Sequence, residues 1–307
     1  MASMIMFSPS GVVPYPANVR RAARRLRALG FEVQIDEAAF KRHQRFAGDD
    51  EVRLAALHRV ARAQPSVAMA TRGGYGLTRL LDRIDWQTLI RAAEQGTRWV
   101  GYSDFTALHL GLLAHGRAVS WAGPTAMEDF GRPDDRGGVD DVTSSCFTEA
   151  MTGALEAIGF RTEPGFDGLA VRGTLWGGNL TMVTSLLGTA HFPQVRQGIL
   201  FLEDVNEHPY RVERQLLQLL QAGVLQKQRA ILLGHFSDWR ASPLDRGFNL
   251  KSVWNHMREL LRDQLRDRSQ VPVLTGLPFG HVPTRVTLPV GARVSLFVQG
   301  REAFVQW

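Results

Sequence analysis

The sequence predicts an α/β protein: an N-terminal Rossmann- or flavodoxin-like parallel-sheet domain, then a smaller C-terminal mixed α/β domain with antiparallel β elements. Three observations lead there. Over the first 125 residues, short buried-type strands alternate with amphipathic helical segments, the order of a parallel sheet covered on both faces. Residues 128–168 are rich in Gly, Pro and Asp (EDFGRPDDRGGVDD), the composition of a linker or surface loop. A second run of strands and helices begins near residue 169 and closes on β-like segments. The expected organisation is a first domain over 1–128, a linker region over 129–168 and a second domain over 169–307. A chain of 307 residues suits two domains of ordinary size.

MIMFS (4–8) is a short apolar run. Residues 15–29 place Val19, Ala22, Ala23, Leu26 and Leu29 at helical spacing, and Gly30 follows as a stop. FEVQI (31–35) alternates like a strand. Asp49, Asp50 and Glu51 open a second helix with acids on its first turn, where the dipole favours them. SVAMA (66–70), RWVGY (98–102) and AVSWAG (118–123) read as further strands, with a helix starting at Asp104. A short helix around 144–153 interrupts the linker region. The second domain holds LAVRGTLWGGN, a helix at 179–187, the strand GILFLED (198–204), a helix at 207–222, AILLGHF (230–236) and a helix at 250–265. β-like segments at 285–289, 292–298 and 302–306 end it.

Composition narrows the function classes. At 44% hydrophobic and 21% charged residues the chain matches soluble globular proteins, not disordered or fibrous ones. One cysteine, Cys146, excludes an intramolecular disulfide and any cysteine-based zinc site, and fits a reducing compartment. MASMIMFSPSG lacks the pattern of a signal peptide, and no apolar stretch approaches membrane-spanning length. A cytoplasmic protein with no membrane attachment is expected. The net charge of +6 raises nucleic-acid binding, but the excess is mostly Arg spread along helices, as in Arg20, Arg21, Arg24, Arg25 and Arg27. A solvated helix face explains that pattern, and no nucleic-acid partner is expected.

Three segments carry candidate chemistry. In W-V-G-Y-S-D-F-T-A-L-H, Ser103 stands where a buried strand meets a helix. A serine on such a sharp turn exposes its hydroxyl beside helix N–H groups that can stabilise an oxyanion. Phe105 replaces the second glycine of G-x-S-x-G, and helix capping is an alternative role for this serine. T-R-G-G-Y-G (71–76) also follows a buried strand, and its paired glycines let backbone N–H groups approach a ligand. It lacks the Lys-Ser/Thr of a P-loop; a second oxyanion donor or a plain turn are the other readings. Glu203 and Asp204 end the apolar strand ILFL, where a buried carboxylate needs a partner. His281, in G-L-P-F-G-H-V-P, is a base candidate because imidazole titrates near neutrality. The order Ser…Glu…His is one in which serine triads occur.

Together these segments resemble the LD-carboxypeptidase family of serine peptidases over nearly the whole chain. The shared pieces are SPSG (8–11), AGDDEVRLAAL (47–57), ATRGGYG (70–76), VGYSDFTALH (100–109), LWGGNL (175–180), LFLEDVNEHPYRVER (200–214) and GLPFGHVPTRVTLPVG (276–291). EHPYRVER (207–214) is similar to the cytoplasmic murein-tetrapeptide branch. The resemblance implies a triad of Ser103 as nucleophile, His281 as general base and Glu203 as the orienting acid, with Asp204 and Glu207 as nearby alternatives to Glu203. It implies an oxyanion hole from the backbone N–H groups of Gly74 and Asp104. Gly73, Tyr75, Trp176, Gly177, Gly178 and Asn179 are expected to bind substrate. The triad would then lie in a cleft between domains.

The implied activity is release of the terminal D-Ala from murein tetrapeptides, at the meso-diaminopimelate–D-Ala bond, in cytoplasmic peptidoglycan recycling. The implied assembly is a homodimer, and no cofactor or metal is expected. The rival readings are a hydrolase of peptidyl-nucleotide antibiotics conferring self-immunity and a catalytically silent muropeptide-binding protein. Weaker candidates remain. His208 reads as helix entry, His109 as part of the helix after Ser103, and Arg211 and Arg214 as carboxylate binders or partners of Glu207 and Glu213. Cys146 lacks an obvious base. Trp121 and Trp239 line a cleft or fill the core.

Overall fold

The computed structural model describes residues 1–239, 244, 246–264 and 271–307. In chain order the elements are β1 (Ala2–Phe7), α1 (Pro16–Ala28), β2 (Phe31–Ile35), α2 (Asp50–Ala63), β3 (Val67–Ala70), α3 (Trp86–Glu94), β4 (Arg98–Gly101) and α4 (Thr106–Gly116). They continue with β5 (Ser120–Ala122), α5 (Asp141–Thr152), β6 (Ala157–Arg161), β7 (Ala170–Asn179), α6 (Leu180–Ser185), β8 (Ile199–Val205) and α7 (Pro209–Gln221). The last are β9 (Ala230–Ser237), α8 (Leu250–Gln264), β10 (Val273–Thr275), β11 (Leu288–Val290), β12 (Arg293–Gln299) and β13 (Glu302–Gln306). The helix read over 250–265 is described through Gln264; residue 265 lies outside the described residues. Among the described residues no helix is long and apolar enough to cross a membrane.

The chain forms two units. The first comprises Met1–Glu156, Gly188–Pro193 and Pro283–Gly291. Its sheet has the order β11-β5-β4-β3-β1-β2, parallel throughout except for β11. The parallel part, 2-1-3-4-5, is the doubly wound flavodoxin-like order, whose switch point lies between β1 and β3. β3 (VAMA) is buried along its whole length, as a central strand covered on both faces must be. α1 starts with Pro16 on its first turn, where the missing N–H costs nothing, and buries Val19, Ala22, Ala23 and Leu26. Asp49 caps α2 by accepting from the Val52 N–H at 2.8 Å.

The second unit comprises Ala157–Leu187, Gln194–Val282 and Ala292–Trp307. Its sheet has the order β10-β9-β8-β7-β12-β13-β6. The pairs from β10 to β7 are parallel, and those from β7 through β12 and β13 to β6 are antiparallel. α6 is capped by Asn179, whose Oδ1 accepts from the Met182 N–H at 3.1 Å.

The structure departs from the expected boundaries in two places. Residues 129–168, read as a linker, contain α5, which belongs to the first unit, and β6, which belongs to the second. α5 packs because Phe147, Ala150 and Met151 join the core of α1 and β1. The sequence places the β-like segment at 285–289 in the second domain; β11 instead pairs antiparallel with β5 in the first unit. Leu288 and Val290 are both buried there. A three-residue strand carries no signal for which sheet edge it will cover, so its sheet is fixed by burial alone.

Candidate active site

In the first unit the loops after β1, β3 and β4 sit at the carboxyl ends of parallel strands beside the switch point, where open α/β sheets bind ligands. The loop after β4 carries Ser103, which is half-buried and has φ 64°. A left-handed backbone at a serine costs on the order of 1–3 kcal/mol and persists only when its surroundings hold it. Here they do. Phe105 N–H donates to the Tyr102 carbonyl at 3.2 Å, and the buried Asp104 carboxylate accepts from the Leu77 N–H at 3.0 Å. Burial pushes the Asp104 carboxyl above its ordinary value, a shift opposed by that N–H bond.

The 71–76 loop meets this turn directly. A Cβ on Gly73 would stand 2.8 Å from Ser103 Cβ and 3.0 Å from its Oγ, closer than real atoms approach. Gly73 is therefore glycine because the Ser103 side chain occupies its space, and Gly74 follows with φ 109°. The loop is tied down along its length. Thr71 N–H donates to Phe7 O at 2.8 Å, Thr71 Oγ1 bonds Ser8 Oγ at 2.6 Å, and Gly11 N–H donates to Gly73 O at 3.2 Å. Arg53 of α2 is fully buried and donates to the carbonyls of Pro9 (2.9 Å) and Gly76 (2.8 Å), joining the loops after β1 and β3.

Two other titratable groups of this unit stay out of the chemistry. His109 is fully buried in α4, bonding Ser120 Oγ (2.8 Å) and Gly101 O (2.9 Å). Burial lowers its pKa to about 4, so it is neutral at physiological pH. Cys146 is buried in α5, its Sγ accepts from the Thr287 N–H at 3.2 Å, and burial raises its pKa. A thiol held neutral in this way is a poor nucleophile.

In the second unit the polar groups gather at the carboxyl ends of β7, β8 and β9 and in the loop after β10. Glu203 of β8 has no exposed surface, and its Oε2 lies 2.8 Å from His281 Nδ1. Its Oε1 accepts from Asn179 Nδ2 at 3.1 Å. The same amide nitrogen reaches Asp204 Oδ1 at 2.9 Å. β8 is an inner strand buried at every position from Ile199 to Asp204, so Glu203 and Asp204 are both buried although they are consecutive. Asp204 is committed elsewhere: it accepts from Thr181 N (2.9 Å), Thr181 Oγ1 (2.8 Å) and Val205 N (2.8 Å). Burial, then the charge of Glu203, pushes its pKa up to about 6. Glu207 pairs with Arg211 at 3.7 Å. Of the three acids read from the sequence, the one bonded to His281 is Glu203.

The His281 loop is shaped by Gly280 at φ 140°, where a Cβ would meet His235 O at 2.8 Å. Ser237 Oγ donates to the His281 carbonyl at 3.2 Å. With Nδ1 facing a carboxylate, the ring is oriented for proton transfer at Nε2.

The other candidates lie as follows. Trp176 is fully buried in β7, and its Nε1 donates to Gln228 Oε1 at 2.9 Å, so the indole is core. Gly177, at φ 128°, is required by packing: a Cβ there would meet Phe201 O at 2.0 Å. Gly178 has φ 131°. Asn179 positions the two carboxylates and caps α6. Tyr75 is 43% exposed, packs at a tilt against Phe46 and lies under Arg45. His208 stacks on Tyr210 at the start of α7. Trp121 is half-buried against the first unit's core. Sequence reasoning missed Arg53 as a loop anchor. The signal was there: a charge on the helix face that also carries Leu57 and Val60 is buried, and a buried guanidinium needs carbonyls.

Comparison with known proteins covers both units. The model of the LD-carboxypeptidase N-terminal domain matches residues 5–123, and that of the C-terminal domain matches residues 172–296. The crystal structure of muramoyltetrapeptide carboxypeptidase from Oxalobacter formigenes is 40% identical and superposes with a TM-score of 0.85, covering 99% of this chain and 97% of that one. The murein tetrapeptide carboxypeptidase of Pseudomonas aeruginosa is 28% identical over 274 residues, covering 87% of this chain and 84% of the relative. The microcin C7 self-immunity protein MccF of Escherichia coli is 27% identical over 256 residues, covering 74% and 70%.

Proposed function

Because this chain belongs to the LD-carboxypeptidase family and is a serine-type carboxypeptidase, we propose that it releases the C-terminal D-Ala from murein tetrapeptides in cytoplasmic peptidoglycan recycling. In this reading Ser103 attacks the carbonyl of the penultimate meso-diaminopimelate residue. His281 takes the serine proton and delivers it to the departing amine of D-Ala. Water then enters with His281 as base again and cleaves the acyl-enzyme. Glu203 holds the imidazole tautomer and stabilises the imidazolium. Backbone N–H groups at Gly74 and Asp104 stabilise the oxyanion, each worth on the order of 3 kcal/mol in the transition state.

The observation that carries the proposal is the 2.8 Å bond between His281 Nδ1 and the fully buried Glu203. A carboxylate with no exposed surface is costly, and matching it to an imidazole is the arrangement that makes a strong base. The strained φ of Ser103 supports the same reading, since strain of this kind collects at nucleophiles. The relatives named for murein tetrapeptides supply the substrate class. A homodimer is part of the proposal, tested by a solution mass of twice 34.2 kDa.

The deciding experiment incubates a tetrapeptide ending in meso-diaminopimelate–D-Ala, and its L-Ala counterpart, with wild type and with Ser103→Ala. Mass spectrometry reads the loss of one alanine. Release from the D-Ala peptide by wild type alone supports substrate and nucleophile together. No release by folded wild type sinks the murein reading and turns attention to peptidyl-nucleotides, the substrates expected of a self-immunity hydrolase. Equal release by Ser103→Ala removes Ser103 from its role.

A further inference from the structure

Behind the Ser103 turn, in the first unit, lies a polar link that the reaction as written does not use. Tyr102, directly before Ser103, is buried, and its hydroxyl donates to Glu128 Oε2 at 2.7 Å. The other oxygen of that carboxylate lies 3.5 Å from Arg72 Nε. Arg72 opens the loop that carries Gly73 and Gly74, and its guanidinium also donates to Val12 O at 3.1 Å. Glu128 thus reaches both the turn of the serine and the loop that abuts it.

Glu128 itself is held by an unusual backbone. It lies in a π-helical turn, Ala126–Phe130, a form that concentrates at functional sites. The turn is fastened at two points: Thr125 N–H donates to Asp129 Oδ2 at 2.8 Å, and Met127 N–H donates to Thr71 O at 2.7 Å. Asp129 is also paired with the fully buried Arg285, whose guanidinium caps the Tyr102 ring at 3.7 Å. Burial, then the neighbouring charge of Glu128, raises the Tyr102 pKa, so the phenol remains a donor to Glu128.

We propose that Glu128 is a positioning residue: by joining the Tyr102 hydroxyl to the Arg72 guanidinium it fixes the Ser103 turn against the Gly73–Gly74 loop. Gly73 and Ser103 are already at contact distance, so a small slip between the two segments changes the spacing of nucleophile and oxyanion donor. Misplacement of about 1 Å can cost a hundredfold in rate. Glu128 and Arg72 act through Tyr102 and the loop, and neither touches the reacting atoms. The proposal rests on the reading of Ser103 as nucleophile.

The test compares wild type, Glu128→Gln, Tyr102→Phe and the double variant. It measures the rate of Ser103 labelling by a fluorophosphonate, and kcat and KM on the tetrapeptide. Each single change is expected to lower labelling and kcat roughly tenfold or more while KM moves less than about twofold. The double variant is expected to be no worse than the more damaged single one, since both cut the same link. Tyr102→Phe removes one oxygen from a ring that stays packed, so it reports on the link even if Glu128→Gln folds poorly. Unchanged kcat and labelling in Tyr102→Phe, multiplying losses in the double variant, or a rise in KM alone overturns the proposal. Wild type that turns over substrate without labelling at Ser103 overturns the nucleophile reading, and the clamp with it.

Discussion

In the first unit a serine is held at φ 64° on a turn packed directly against Gly73. In the second, a carboxylate without exposed surface is matched at 2.8 Å to an imidazole 78 residues further along the chain. The first arrangement is tight through shape: Gly73 has no Cβ because Ser103 fills the space. The second is tight through charge: Glu203, Asp204 and Asn179 form a buried polar group that is stable only while each partner is present. The difference teaches what each should fear. A shape-built site is damaged by one added methyl group, and a charge-built site by one lost hydrogen bond.

The largest expected effect breaks the charge side. Glu203→Gln keeps an acceptor but removes the charge that fixes the His281 tautomer, and kcat should fall by roughly 10³- to 10⁴-fold with the fold retained. Steady-state kinetics at neutral pH checks this; a loss under about tenfold would deny Glu203 the orienting role.

A second comparison uses acid. His109 in the first unit has a pKa lowered from 6.5 to about 4 by burial. Its folded state binds the proton less readily than the unfolded chain, so stability is lost as pH falls from about 6.5 to about 4. The loss should reach about 3 kcal/mol. Asp204 in the second unit is raised from 3.8 to about 6 by burial and by Glu203. Its folded state binds the proton more readily, so its contribution falls as pH rises from about 3.8 to about 6. Between about pH 6 and pH 4 the two contributions oppose each other in wild type, so urea unfolding should show His109→Gln gaining stability relative to wild type on acidification through that window. An Asp204→Asn variant should lose stability more steeply than wild type on acidification through the same window. Parallel curves for the variants and wild type would show that neither group titrates differently on folding.

On the shape side, Gly73→Ala should cost roughly a hundredfold in kcat, because the new Cβ must push Ser103 or its loop aside. Its thermal midpoint should change far less than its rate; wild-type kcat in this variant would mean that the two segments are not held at contact. The smallest expected effect is Asn179→Ala. It strips one hydrogen bond from each of two buried carboxylates and should destabilise the protein by about 2 kcal/mol, read from the urea midpoint. A midpoint equal to wild type would show that other donors already satisfy Glu203 and Asp204.

The candidate residues of the first unit were legible because they are local. A buried strand followed by Ser-Asp or by Gly-Gly marks a tight turn, and the structure sets Ser103 at φ 64° with Gly73 against it. Glu203 ending an apolar strand was legible as a buried acid in need of a partner. Its preference over Asp204 rests on a likeness of motifs, because an inner strand buries consecutive residues and burial alone does not choose between the two acids. Trp176 shows the limit from the other side. The resemblance implies that it and its neighbours bind substrate, yet Gly177 answers to close packing by Phe201 and the indole to Gln228.

The sequence by itself determined most of the alternation of strands and helices (though not α3, β6 or β10), the Rossmann- or flavodoxin-like character of the first unit and the segments able to carry chemistry. Those depend on hydrophobic periodicity and turn chemistry, which act within a few residues. Only the tertiary structure decided that β11 completes the first sheet, that α5 belongs to the same unit, that Glu203 is the acid bonded to His281 and that Glu128 joins Tyr102 to Arg72. Each of these is a contact between residues far apart in the chain. For β11 and α5 the free energy that selects the contact comes from burying apolar side chains; for Glu203 and Glu128 it comes from setting a polar group beside its partner, and either kind of partner is defined only once the elements between have packed.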